Sequence, residues 1–146
     1  MAGRIKKPHE AISVIKQALQ RKKSKEDLKK EEAFKISFKH LDRNQGQTIH
    51  DWQENYMLGD ALETLAGFCA RPLREQQSKS FTIYGAFPPD DKTEFSHPDQ
   101  VPEDVEWARI HVNGKHCIVG HVFEDTFYVV FFDQEHRFWI SELKHT

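Results

Sequence analysis

Cysteine is scarce: Cys69 and Cys117 are the only two in 146 residues. Thiols that far apart make neither a disulfide scaffold nor a Cys-x-x-Cys site. Both have apolar neighbours in the sequence, so buried free thiols in a reducing cytoplasm are expected. No apolar run approaches the roughly eighteen residues of a membrane span, and the basic N-terminus has no apolar h-region. A cytoplasmic protein with no membrane partner follows as the expectation. The sequence also contains no P-loop, GxGxxG, HExxH or GxSxG pattern, which removes the commonest phosphate, dinucleotide, zinc-protease and serine-hydrolase sites. It has no internal repeat and no low-complexity tract.

What is present suits one globular domain, with 38% hydrophobic and 30% charged residues. The pattern divides residues 1–146 into four segments. Residues 1–33 read as a basic helical arm and 34–80 as a strand plus a helix. Residues 81–105 read as an irregular loop and 106–141 as an antiparallel meander. A net charge of −2 hides an asymmetry. Residues 1–40 carry twelve Lys/Arg against five Asp/Glu, and the remainder carries nine against eighteen. A basic arm on an acidic body suits contact with nucleic acid, with an acidic partner, or simply with solvent.

Pro8 suits the start of a helix with Ile12, Ile15 and Leu19 on one stripe, and Ser24 suits the cap of a second. Phe34 to Leu41 alternates as a half-buried strand with a basic face. A clearer helix is expected from an Asp51 cap to about Gly67 or Cys69, with Tyr56, Leu58, Leu62, Leu65 and Phe68 buried and Trp52, Met57, Ala61 and Ala66 widening that face. Arg71-Pro72 ends it, and Leu73 to Lys79 suits a further helical turn. Arg71, Arg74 and Lys79 are the only Lys or Arg between Arg43 and Lys92. They suit gripping a phosphate, or pairing with Glu63 and Glu75. FTIYG, from Phe81, suits a short strand. Four of the six prolines then fall between Pro88 and Pro102, so sustained regular structure is not expected there. So long a loop in a small domain suits a cover over a groove on the sheet.

Glu106 to Ser141 organises the rest. Trp107 to Val112 places Trp107, Arg109 and His111 on one face and Ala108, Ile110 and Val112 on the other. Asn113-Gly114 suits a two-residue turn, from which Lys115 to Phe123 returns. A second turn follows at Glu124-Asp125. Phe127 to Phe132, FYVVFF, is apolar on both faces, so it belongs inside the sheet with a layer on each side. His136 to Ile140 reads as a short final strand or edge segment.

With Asn113-Gly114 as the turn, His111 pairs with His116, and the two share a face with Arg109 and Trp107 while His121 takes the other. That separation argues against a three-histidine metal centre, and no metal or cofactor is expected. The shared face, with Lys115 at the turn and His136 and Arg137 arriving after the third strand, suits phosphodiester cleavage. Histidines serve as base and acid, and arginine stabilises the phosphorane. Trp107 and Trp139 suit stacking on RNA bases.

The stretch WARIHVNGKHCIVGHVFEDTFYVVFFDQEH resembles the core of small bacterial toxins of the RelE/HigB/ParE superfamily. In those proteins a strand, a turn, an arginine-bearing strand and an apolar strand lead to an acidic residue and a histidine. The resemblance spans residues 106–139 and implies a metal-independent endoribonuclease that cuts RNA, commonly on the ribosome, and is neutralised by an antitoxin-like protein partner. It implies that His136 is a general acid or base and that Arg109 and Lys115 stabilise phosphate. Lys115 or His116 stands where these toxins carry an arginine, and Asp133 is implied to orient or cap. A non-catalytic protein-binding module and a plain nucleic-acid-binding protein are the other classes open to this sequence. The expected fold is α+β: N-terminal helices packed on an antiparallel sheet of about four to five strands, ending in a β-meander.

Overall fold

The FYVVFF segment finds the two covered faces it requires. In a computed structural model, in which residues 13–16 and 33–141 are described, it belongs to β5 (Thr126–Asp133) inside a five-stranded sheet. The other strands are β1 (Lys35–Ser37), β2 (Phe81–Gly85), β3 (Glu106–Asn113) and β4 (His116–Phe123). Their order is β1-β5-β4-β3-β2. The β2–β3, β3–β4 and β4–β5 pairings are antiparallel, which makes the meander, and β1 joins β5 in parallel. The sheet is therefore mixed, in an α+β fold.

Two compact units divide the chain, residues 1–31 and 32–146. In the first, residues 13–16 are helical; the remainder of the helix expected from Pro8 and the helix expected after Ser24 fall outside the described residues. The second unit holds the sheet with α1 (Ile49–Glu54) and α2 (Leu58–Phe68). No helix among the described residues is long and apolar enough to cross a membrane.

Alternation on the strands makes two cores. Ala108, Ile110, Ile118, Val122, Phe127, Val129 and Phe132 face the helices, where they meet Trp52, Met57, Ala61 and Leu65. Trp107, Cys117, Val119, Val130 and Phe131 face the opposite way. The proline-rich loop covers that second face with Phe87, Phe95, Val101 and Val105, and the C-terminal segment adds Phe138 and Trp139. The irregular loop is thus the second layer of the domain.

Local detail departs from the periodicity at four places. The expected single helix is two, because the chain breaks at Tyr56, whose φ is +59°. Thr48 caps α1, and Asp51 is the third helical residue, closing a reciprocal capping box with it. Trp52, Met57, Ala61 and Leu65 are buried as expected, while Tyr56 and Leu62 are exposed. At the end of α2 the buried Gln76 amide donates to the Phe68 and Arg71 carbonyls, both at 2.6 Å, satisfying acceptors that the helix cannot. Phe34 to Leu41 yields only the three residues of β1. Leu73–Glu75 is a single 3₁₀ turn, and residues 136–140 form no strand but fold back over the second core. Of the thiols, Cys117 is buried and Cys69 is exposed.

Among the described glycines, Gly120 has the least room for a side chain. The β4–β5 register slips beside it, and a Cβ placed there would collide with the Tyr128 carbonyl, 2.8 Å from its carbon. Gly120→Ala is expected to destabilise the domain by about 3 kcal/mol or more in urea denaturation, because backbone must move to admit the methyl. Gly59→Ala on α2, with open space around it, should instead stabilise by about 0.5–1 kcal/mol. Equal effects at the two positions would refute this account of the packing.

Candidate active site

The hairpin between β3 and β4 sets the site, and it does so through a shifted register. The turn residues are Gly114-Lys115, with Gly114 at φ +50°, and Asn113 stays in β3 opposite His116. A bulge at Val112 absorbs the shift, so His111 pairs with Cys117. The expected His111–His116 pair is therefore absent. His116 turns to the helix side, its ring 6.0 Å from that of Trp52. His121, expected on the other face, pairs with Trp107 and lies on the same side as Arg109 and His111.

Cys117 also pairs with Asp133 on β5. The Asp133 carboxylate accepts backbone N–H bonds from Arg137 and Phe138, both at 2.9 Å. These curl the chain after β5 back across the sheet, the capping role implied for Asp133. His136, at φ +59°, rides on that curl. Its Nε2 lies 2.8 Å from Nη1 of Arg109. Because arginine has only donors, the guanidinium donates and the imidazole accepts. The other guanidinium nitrogen donates to Thr82 Oγ1 at 3.0 Å and reaches the Lys79 carbonyl at 3.5 Å. The His111 ring lies 5.8 Å from that of His136, and its Nε2 contacts the Gly114 carbonyl. Tyr84 stacks on Trp139 at 4.8 Å, and Arg109 Cζ sits 5.9 Å from the Tyr84 ring. Together these make a half-buried arginine bonded to one histidine, with a second histidine beside that one and an aromatic shelf at the border.

Burial, followed by the Arg109 charge, holds the His136 pKa below the usual histidine value, so the ring is neutral at pH 7. Burial pushes the Cys117 thiol up to about 12, against the pull of Arg109. A thiol so held is not a nucleophile at neutral pH. Tyr84 is also raised by burial.

Arg109 and His111, two residues apart on β3, are thus brought together with His136 from the segment after β5. Trp139 stands next to them through Tyr84. Lys115 is exposed in the adjoining turn, where its carbonyl lies 3.5 Å from the Cys117 sulfur. His116 is on the wrong face. Trp107 is fully buried beneath Phe87 and Phe138 and has no ring face to offer a base. Arg137 points elsewhere and pairs with Glu94. Arg71, Arg74 and Lys79 are exposed. Arg74 lines a polar cleft of about 330 Å³ with Gln77, Tyr84 and Glu106, and Lys79 meets the cluster through its backbone. Sequence reasoning did not include Thr82, Tyr84 or Cys117. The alternation of FTIYG marked a strand, but only its register against β3, with Thr82 opposite Arg109, places those residues here.

A second polar group lies at the other end of the strands. His121 Nε2 is 2.9 Å from His40 Nδ1, and the His121 ring stacks on Tyr128 at 4.7 Å. Both histidines line a pocket of about 450 Å³ with Asp104, Glu106, Phe123 and Tyr128. His121 Nδ1 is buried with no hydrogen-bond partner.

No protein-family model, no curated protein and no solved structure matches this chain.

Proposed function

We propose that the protein is a toxin-like endoribonuclease that cleaves RNA by metal-independent acid–base chemistry at Arg109, His111 and His136. The observation that carries this reading is the hydrogen bond from Arg109 to the unprotonated Nε2 of a neutral histidine, with a second imidazole alongside. An arriving phosphate competes for the guanidinium, which has planar donors matched to phosphate oxygens. Drawing Arg109 onto the phosphate uncovers the His136 lone pair. His136 then removes the 2′-hydroxyl proton, and the 2′-oxygen attacks phosphorus. His111 in its protonated form gives a proton to the departing 5′-oxygen, leaving a 2′,3′-cyclic phosphate. Arg109 stabilises the charge on the phosphorane, and Lys115 adds positive charge from the turn. Trp139 and Tyr84 supply the shelf on which a base stacks. An antitoxin-like partner protein would neutralise the chain by covering this surface.

Tightly controlled expression tests the reading. The wild type is expected to arrest growth and cut transcripts at mapped positions, and a folded Arg109→Ala/His136→Ala double variant is expected to do neither. Arrest by both proteins would move the toxicity to another surface. No arrest from soluble, folded wild type would sink the proposal and leave a non-catalytic binding module as the account.

A further inference from the structure

The register shift that removes His116 from the site puts a sulfur in its place. We infer that His111, Cys117 and His136 form a binding site for a divalent transition metal of the zinc class. One donor atom from each of the three lies within 4.8 Å of the other two, close enough for one ion to bind all of them after small side-chain rotations. Two imidazoles and a thiolate are the donor set that selects zinc over magnesium or calcium, and three protein ligands leave a fourth, open position.

The surroundings bear on metal binding in two further ways. Tautomers are already set: His111 Nε2–H faces the Gly114 carbonyl, which leaves Nδ1 with its lone pair, and His136 Nε2 is an acceptor. A histidine ligand whose other N–H is held by a backbone carbonyl is the usual outer-shell arrangement at a metal. The His136 lone pair already faces a cation, the Arg109 guanidinium, which competes with an entering ion for it. An incoming ion takes over from Nη1, while Nη2 keeps its contacts to Thr82 and the Lys79 carbonyl. On binding, the Cys117 thiol releases its proton to solvent and its sulfur bonds the metal. Each imidazole binds through the lone pair of one ring nitrogen. No electron is transferred. The site does not depend on the ribonuclease reading, although the two uses of His136 exclude each other.

Titration of the reduced, full-length protein with Co²⁺ and then Zn²⁺ tests the site without any RNA. The expected result is one ion per chain, with the visible bands of four-coordinate cobalt and a near-ultraviolet sulfur-to-cobalt charge-transfer band. Zinc should displace cobalt with a Kd below about 10 µM. Cys117→Ser should abolish the charge-transfer band and Cys69→Ser should leave it intact. His111→Gln, at a half-exposed position, should weaken binding by about tenfold or more, and it serves as the test if Cys117→Ser does not fold. Arg109→Ala should bind at least as tightly as wild type, since it removes the competing cation. No saturable binding, a charge-transfer band that follows Cys69, or unchanged affinity in His111→Gln would each overturn the proposal. Zinc binding in a protein that never cleaves RNA would support the metal site and defeat only the ribonuclease reading.

Discussion

Replacing His136 with alanine is expected to slow RNA cleavage by about 10²–10⁴-fold, the usual contribution of a positioned general base. Arg109→Ala should cost about 10²–10³-fold, the range for loss of one group aimed at transition-state charge. Arg109→Lys should recover little of it, because an ammonium cannot span His136, Thr82 and a phosphate oxygen with fixed, planar donors. The double variant should be far from additive: once the base is gone, the arginine has less of a transition state to stabilise. His116→Ala provides the contrast. Its ring packs toward Trp52 on the helix side, so it should alter stability and leave the rate of the folded protein unchanged. Single-turnover cleavage of an end-labelled RNA, with each variant checked for folding, reads all five. Wild-type rates in folded Arg109→Ala and His136→Ala would remove the catalytic role from this cluster.

The contrast between His111 and His116 also shows where the sequence stops being legible. The two-sided apolar strand, the face alternation of β3 and a cover from the proline-rich loop all follow from periods of two and from the burial of apolar surface. They hold here because a one-residue error would have exposed whole faces. The site depends on a finer choice. Asn113-Gly114 has the better turn chemistry, yet the turn slides one residue on, and Asn113 in the strand donates from its side chain to Asp60 on α2 at 2.9 Å. A tertiary bond of this kind, together with the Val112 bulge, is invisible to local pattern, and it exchanges His116 for Cys117 opposite His111. The break at Tyr56 is a similar case. Apolar spacing runs through it at helical period and includes Trp52, which packs on Phe132 at 4.9 Å, yet Tyr56 turns to solvent at a positive φ that the spacing does not announce.

His121 gives the second large effect, and it concerns stability. Burial, followed by the charges of His40 and His97, lowers its pKa to about 4, against about 6.5 in the unfolded chain. Between those values the unfolded state holds the proton and the folded state does not, so stability rises with pH across the window and falls on acidification. The stabilisation is complete above pH 6.5 and lost as pH drops to 4, at a cost of about 3 kcal/mol for a shift of this size. His40, its pKa also lowered by burial and then by Lys39, acts in the same direction. Asp104 and Glu106 line the same pocket. Urea unfolding at pH 7 and pH 4.5 should show the loss in the wild type and a much flatter response in His121→Gln, even if that variant is weaker at pH 7. An equal pH slope in the two proteins would mean that His121 titrates normally in the folded state. That result would be incompatible with a buried ring whose Nδ1 has no partner and whose Nε2 is shared with His40.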